Sequence, residues 1–318
     1  MNYKTLRDWH CGFHDYTTRR HASETRKQSG FMGGFIFGER GKGKCTYTYK
    51  CMAKVYYTMG GYNTTDQETD AYKEALKYMI YEPRDFLNLT IYNKIHYVVT
   101  IIACLDDASM HFGNMMHMIN PKLYNALLGE TATVRTAITG FLITAPKRSH
   151  VAKFLRDYDD FKGEALIDEG PESATQENWN RKIRFYQWRY YPDEVKYRIH
   201  IPFQDKYSCY IPDEHYLPYI KKKRFFEIKH DIELAINITP ETRAMIIENK
   251  ENLPEYPNQP RLKDIVDGWE RKEIELQKDQ EKNEKIKKMK DADFDLKVKK
   301  FEEKISNAQN IEEKIENL

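Results

Sequence analysis

An apolar run, Gly34-Phe35-Ile36-Phe37, leads straight into Gly38-Glu39-Arg40-Gly41-Lys42-Gly43-Lys44-Cys45-Thr46, and no other segment restricts the fold of this chain as tightly. Gly38 and Gly43 bracket four residues and Lys44 follows, so the spacing G-x-x-x-x-G-K is met. Between a strand and a helix, such a loop turns successive backbone N–H groups toward a phosphate while the lysine reaches its outer oxygens. Glycine supplies the dihedrals and the close backbone approach. A helix beginning near Gly43 adds unsatisfied N–H groups and the positive end of its dipole. Gly38 to Thr46 are therefore the expected ligand-contacting positions. Cys45 stands where a Ser or Thr hydroxyl normally faces Mg²⁺, and a thiol suits a hard cation poorly. Thr46 is next in line, but a shift of one residue on a helix turns the side chain by about 100°. A glycine- and lysine-rich surface loop is the plainer alternative.

A phosphate loop needs an acidic strand end beside it, and the run Tyr97-Val98-Val99-Thr100-Ile101-Ile102-Ala103-Cys104-Leu105-Asp106-Asp107 supplies one. It is too short to span a bilayer and continuously apolar and β-branched, the pattern of a central parallel strand covered on both faces. Ligands bind at the C-terminal ends of strands in open α/β sheets, which is where both aspartates fall. Asp106 is the expected metal ligand, through water, and Asp107 the group that orients or deprotonates an attacking water. Gly140-Phe141-Leu142-Ile143-Thr144-Ala145-Pro146 reads as a further apolar strand. Its Thr144 is either a polar contact for a terminal phosphate or a strand-end cap.

The loop, the acidic strand and the third strand resemble, in that order, the P-loop ATPases of the additional-strand, catalytic-glutamate class, which includes AAA+ and RecA-like proteins. Asp107 stands where that class carries glutamate, one methylene longer. Together with Asp-Asp-Ala-Ser (106–109), Ile-Thr-Ala-Pro-Lys-Arg (143–148) and Tyr-Ser-Cys-Tyr-Ile-Pro (207–212), the order resembles ATPases encoded by crenarchaeal viruses and conjugative plasmids. The resemblance covers residues 31 to 230. It implies a three-layer α/β sandwich around a mainly parallel sheet, ATP and Mg²⁺ as ligands, Lys44, Asp107, Thr144 and Arg135 as catalytic groups, and a homo-oligomer. Arg135, Lys147 and Arg148 are candidates for a cation that enters a neighbouring subunit's site, although each alone reads as an ordinary surface charge.

The rest of the chain divides by composition. Residues 1–30 read as a basic N-terminal arm, 31–170 as the core, 171–235 as a β-hairpin extension with a basic helix, 236–268 as a linker marked by Pro254, Pro257 and Pro260, and 269–318 as a charged helical tail. Within the core, helices are expected over Cys45–Met59, ended by Gly60-Gly61, over Asp70–Tyr78, from Pro83 to Ile95, and over Pro121–Ile138. Tyr78-Met79-Ile80-Tyr81 is a candidate flanking strand. In the arm, His10, Cys11, His14 and His21 have donors at spacings a metal accepts; a surface arm touching a neighbour or a phosphate backbone is the alternative. Ile183–Tyr190 and Val195–Ile201 alternate across Pro192-Asp193 as a hairpin. Arg184, Trp188, Lys196, Arg198 and His200 on one face suit a DNA strand, or else the hairpin only widens the sheet. Lys221-Lys222-Lys223-Arg224-Phe225-Phe226 is a second basic, aromatic stretch or a solvated helix end. From Phe294, the positions Val298, Phe301, Ile305 and Ala308 make a short coiled-coil seam, a candidate for self-association or a protein partner.

The 51 basic and 49 acidic residues nearly cancel, so any nucleic-acid surface has to be a local patch. High Lys and Glu content is the bias of thermophiles. The five cysteines have no C-x-x-C spacing, which argues against a secreted disulfide framework. No signal-like apolar stretch is read at the N-terminus, and the expectation is a cytoplasmic protein of an archaeal host cell with no membrane partner. The function expected is ATP hydrolysis coupled to DNA packaging, transfer or replication; the alternative is nucleotide-gated assembly with slow or no hydrolysis.

Overall fold

The computed structural model describes residues 6–7, 9–22, 30–60, 66–110, 112–113, 118, 120–156, 161–167, 180–191, 196–235, 240–272, 274–275, 278 and 282–285. The chain forms two compact units, residues 1–230 and 231–318.

The first unit is built on a seven-stranded sheet. Its strands are β1 (Met32–Phe37), β2 (Met79–Ile80), β3 (Thr100–Leu105), β4 (Ile138–Ala145), β5 (Phe161–Ile167), β6 (Asn180–Tyr191) and β7 (Lys196–Ser208), in the order β2-β3-β4-β1-β5-β6-β7. From β2 to β5 every pairing is parallel, and β6 and β7 close the sheet antiparallel. The loop strand β1 and the acidic strand β3 are thus separated by β4. This is the additional strand that the resemblance implies. As expected, β2 flanks the sheet, and the hairpin forms, continuing the sheet through β5.

Helices lie on both faces, which is why the central strands can be apolar throughout. They are α1 (Gly12–Ala22), α2 (Lys44–Met59), α3 (Gln67–Lys77), α4 (Pro83–Ile95), α5 (Pro121–Ala132), the single turn α6 (Lys153–Arg156) and α7 (Asp213–Ala235). On one face, Phe35, Ala103, Leu105, Phe141 and Ile143 of the sheet pack with Phe86 of α4, Leu127 of α5 and Phe154 of α6. Alternate residues of the same strands meet α1 and α2. Starts and stops follow local chemistry: Asp66 caps α3 by accepting from Thr69 N at 3.1 Å, and Pro83 and Pro121 open α4 and α5, where a missing N–H costs nothing.

Two expectations fail here. The helix read over Pro121–Ile138 ends at Ala132; a 3₁₀ turn, Val134–Thr136, follows and Ile138 already begins β4. Thr133, Val134, Thr136 and Ile138 are β-branched and favour strand over helix. Residues 9–22, most of the described part of the expected arm, are not a surface arm. Trp9, Cys11 and Phe13 are fully buried, and α1 packs on α2 and the sheet. A Cβ on Gly34 would stand 2.6 Å from the Phe13 ring, and one on Gly140 would stand 2.8 Å from Thr17. These two glycines let α1 lie against the backbone of β1 and β4.

In the second unit, α8 (Pro240–Glu248), a 3₁₀ turn Lys250–Asn252 and a helix over 262–272 occupy most of the expected linker. Lys250 binds Asp267 at 2.9 Å and Glu270 at 2.6 Å. The expected coiled-coil seam lies outside the described residues. No helix among the described residues is long and apolar enough to cross a membrane.

Candidate nucleotide site

The loop after β1 has the shape that the sequence predicts. Gly38, Gly41 and Gly43 have φ of 145°, 77° and 79°, which favour glycine. Gly43 N-caps α2 in the left-handed conformation. Among the described residues no side chain caps this end and no acid stands in the first turn, so its N–H groups and dipole are left for an anion. The Lys44 ammonium folds back to donate to the carbonyls of Gly38 and Glu39, both at 2.8 Å. Burial lowers its pKa, against the pull of Cys45, Asp107 and Asp106. From β7, the Tyr207 hydroxyl shares its proton between the carbonyls of Lys42 and Gly43, each at 3.1 Å. Gly38 N donates to Pro146 O at 3.3 Å, tying the loop to the end of β4.

The acids follow β3, two strands from β1 with β4 between. Asp106 is buried, with Thr144 Oγ1 donating to its Oδ1 at 2.7 Å and the Tyr219 hydroxyl to its Oδ2 at 3.2 Å. Thr144 Oγ1 also accepts from Asp107 N at 2.9 Å. Its hydroxyl thereby holds the acidic pair in this structure. Asp107 has φ of 48°. Aspartate tolerates the left-handed region better than most residues, and strain of this kind gathers at functional positions. Burial raises the Asp107 carboxyl, with Asp106 adding to the rise and Lys223 opposing it.

Lys223 is the residue the sequence reading missed. Its ammonium pairs with Asp107, lies 3.8 Å from Asp106 Oδ2 and donates to Cys45 Sγ at 3.6 Å. It is neither a solvated helix end nor part of a nucleic-acid patch. Around it Lys221 and Arg224 are exposed, but Lys222 donates to Leu76 O at 2.7 Å, Lys229 pairs with Glu82 at 2.6 Å, and Phe225 and Phe226 are core. The signal available was spacing. Tyr219, Lys223 and Phe226 share one face of a helix, and Tyr219 stacks on Tyr49 of α2 at 4.9 Å while Phe226 stacks on Tyr81 at 5.2 Å.

The remaining candidates are distributed unevenly. Cys45 Sγ and the carboxylate oxygens of Asp106 and Asp107 lie within 4.8 Å of one another. As a site for Mg²⁺ the set fits badly: Asp106 already accepts from two hydroxyls, Asp107 is paired to Lys223, and the third donor is a thiol where the ion wants six oxygens. Glu39 and Arg40 are exposed on the loop, and Lys42 pairs with Glu39 at 3.4 Å. Thr46 is half-buried on α2. Arg135 is exposed and precedes β4, so in its own subunit it sits at the opposite end of the sheet, about 20 Å of strand away. It therefore takes no part in its own chain's site. Lys147 and Arg148 follow β4, on the site's side. In the arm, the His14 imidazole bonds Asp15 at 2.9 Å and Thr58 at 2.8 Å, while Cys11 meets Cys51. Among the described residues they do not converge with other donors on a metal position. On the hairpin Arg184 and His200 are half-buried and Arg198 is exposed; the side chains of Trp188 and Lys196 lie outside the described residues.

No protein-family model matches the chain, and no curated protein matches it. Solved structures do. The N-terminal domain of zonular occludens toxin from Neisseria meningitidis is 13% identical, the alignment covering 55% of this chain and 95% of that one, with a TM-score of 0.34. The genome packaging NTPase B204 from Sulfolobus turreted icosahedral virus 2, in complex with ATP-gammaS, is 14% identical over 55% of this chain and 99% of that one, with a TM-score of 0.29. A KaiC-like protein from Pyrococcus horikoshii OT3 is 13% identical over 53% and 89%, with a TM-score of 0.30. Strand order, loop and acidic strand together give this chain the fold of a P-loop NTPase.

Proposed function

We propose that this chain binds ATP on residues 38–46 and hydrolyses it slowly, coupling the cycle to DNA handling for a virus or plasmid of an archaeal host. One observation carries the reading: the left-handed glycines, the Lys44 ammonium and the Asp106–Asp107 pair lie at the same end of the parallel strands β1 and β3, on either side of β4. When a triphosphate enters, Lys44 exchanges the Gly38 and Glu39 carbonyls for phosphate oxygens, and the α2 N-terminus receives the same anion. Asp107 orients the attacking water and takes its proton. Its raised pKa is the direction a general base needs. Asp106, held by Thr144 and Tyr219, keeps the neighbouring negative charge fixed and orders the turn. Mg²⁺, which the resemblance implies, meets the ill-suited donor set of Cys45, Asp106 and Asp107.

The five hairpin residues do not share the single face expected of them, because the register sets Arg198 and His200 opposite Arg189 and Gln187 and leaves the positions of Arg184 and Trp188 on the other face. DNA enters this reading through Arg198 and His200 on the hairpin, which is continuous with β5 and, through Tyr207, with the loop. The chain would work as a homo-oligomer, with Lys147 or Arg148 offered to a neighbour. The test is ATP turnover with and without DNA. Turnover that rises on adding DNA and falls in Arg198→Ala supports the coupling; turnover indifferent to DNA, with no DNA bound, removes the DNA half and leaves the ATPase half.

A second reading, in which bound ATP gates assembly through residues 269–318 without rapid hydrolysis, is favoured by the ion pair that Lys223 makes with Asp107. Tight binding, negligible turnover and loss of a partner on removing 269–318 would be its signature.

A further inference from the structure

We propose that the Lys223 ammonium is the resident cation of this site, standing where a divalent ion stands beside other loops of this type, so that ATP binds here without a metal. The proposal rests on reading residues 38–46 as a nucleotide site and adds the cation requirement of that site. Cys45, Asp106 and Asp107 are the groups that would converge on an ion, and Lys223 Nζ already meets all three. The missing hydroxyl at 45 and the lysine at 223 are then two halves of one exchange. A thiol is a poor ligand for a hard cation, but its sulfur accepts a weak N–H bond.

The ammonium is also held in place, because α7 is pinned on both sides of it. One turn earlier, Tyr219 donates to Asp106 and stacks on Tyr49. One turn later, Phe226 stacks on Tyr81 and Lys229 pairs with Glu82 at 2.6 Å. Lys222, beside it, donates to Leu76 O and lies over the Tyr81 ring. The Lys223 side chain is 18% exposed, so neither counter-ions nor bulk water screen it fully. Its charge opposes that of Lys44, and an anion bound by both ammonium groups offsets that opposition. An ammonium has three protons. One serves Asp107, Glu227 Oε1 stands 4.0 Å away on the next turn, and the protons not given to Asp107 face Cys45 or a phosphate oxygen. A single positive charge in place of two stabilises a transferring phosphoryl group less, which accords with slow turnover.

The test titrates a fluorescent ATP analogue into the full chain in EDTA and in Mg²⁺, for wild type, Lys223→Gln and Lys223→Arg, with Mn²⁺ uptake followed separately by electron paramagnetic resonance. The expectation is wild-type affinity in EDTA within about threefold of that in Mg²⁺, and a loss of at least about tenfold in EDTA for Lys223→Gln. Lys223→Gln should regain affinity with Mg²⁺ and take up Mn²⁺ with the nucleotide, whereas wild type should not. Lys223→Arg keeps the charge and should retain binding in EDTA, which separates loss of the cation from loss of the fold. Wild-type binding that vanishes in EDTA overturns the role of Lys223 and leaves the nucleotide site standing. Tighter binding by Lys223→Gln in EDTA makes Lys223 a plug and also overturns it. No binding by any variant in either buffer removes the nucleotide site itself and this proposal with it.

Discussion

Asp106 and Asp205 are both buried and each accepts a tyrosine hydroxyl, yet they serve opposite ends. Asp205 of β7 accepts from Gly12 N at 2.7 Å, from the Tyr47 hydroxyl at 2.5 Å and from Cys11 Sγ at 3.5 Å. These partners are neutral dipoles of the fold itself: the first turn of α1, a core aromatic of α2 and a buried thiol. The carboxylate staples three elements together. Asp106 and its neighbour Asp107 instead face an ammonium and an anion-ready loop, and a charged partner can be exchanged for another ion or a ligand. Burial alone does not mark a functional carboxylate; a replaceable charged partner does.

The largest effect should come from breaking the staple. Asp205→Ala leaves Gly12 N and the Tyr47 hydroxyl unsatisfied and should cost about 3 kcal/mol by denaturant titration, with nucleotide affinity of the folded protein nearly unchanged. Asp107→Asn should do the reverse, cutting single-turnover hydrolysis by about 100-fold while binding survives. If Asp107→Asn hydrolyses normally, the role given to that carboxylate is wrong.

The pH dependence sharpens the contrast at Asp205. Burial raises its carboxyl above the ordinary value, opposed by Tyr47 and by the backbone N–H of Gly12. The folded state therefore holds this proton more tightly than the unfolded chain. The resulting stability is fully present below the unfolded pKa and is lost as pH rises through the folded one. Asp205→Asn cannot titrate, so its stability should fall less than wild type's across that window in denaturant titrations repeated at successive pH values. The smallest effect is expected at Tyr207→Phe, which removes one shared hydrogen bond to the loop at a cost of about 1 kcal/mol. It should weaken nucleotide affinity slightly and leave the sheet intact.

What the sequence disclosed depended on how local the signal was. The loop, the acidic strand and β4 are contiguous runs whose chemistry and periodicity sit within a few residues, and they assembled as read. α1 was unreadable as core because its reason for burial lies elsewhere, in Gly34 and Gly140. Lys223 was hidden for a similar reason: a run of three lysines and an arginine looks solvated until the aromatic anchors Tyr219 and Phe226 find Tyr49 and Tyr81. Arg135 was read on a helix running to Ile138, but the β-branched residues after Ala132 end that helix early and leave the arginine in a 3₁₀ turn before β4.

The central claim is that Lys44 and the glycine loop hold a triphosphate while Asp205 holds only the fold. Equilibrium binding of a fluorescent ATP analogue to wild type and Lys44→Ala, each with its melting temperature recorded, tests it most directly. The account predicts saturable wild-type binding that Lys44→Ala weakens by at least about tenfold without lowering the melting temperature. Equal affinities in the two proteins would contradict it.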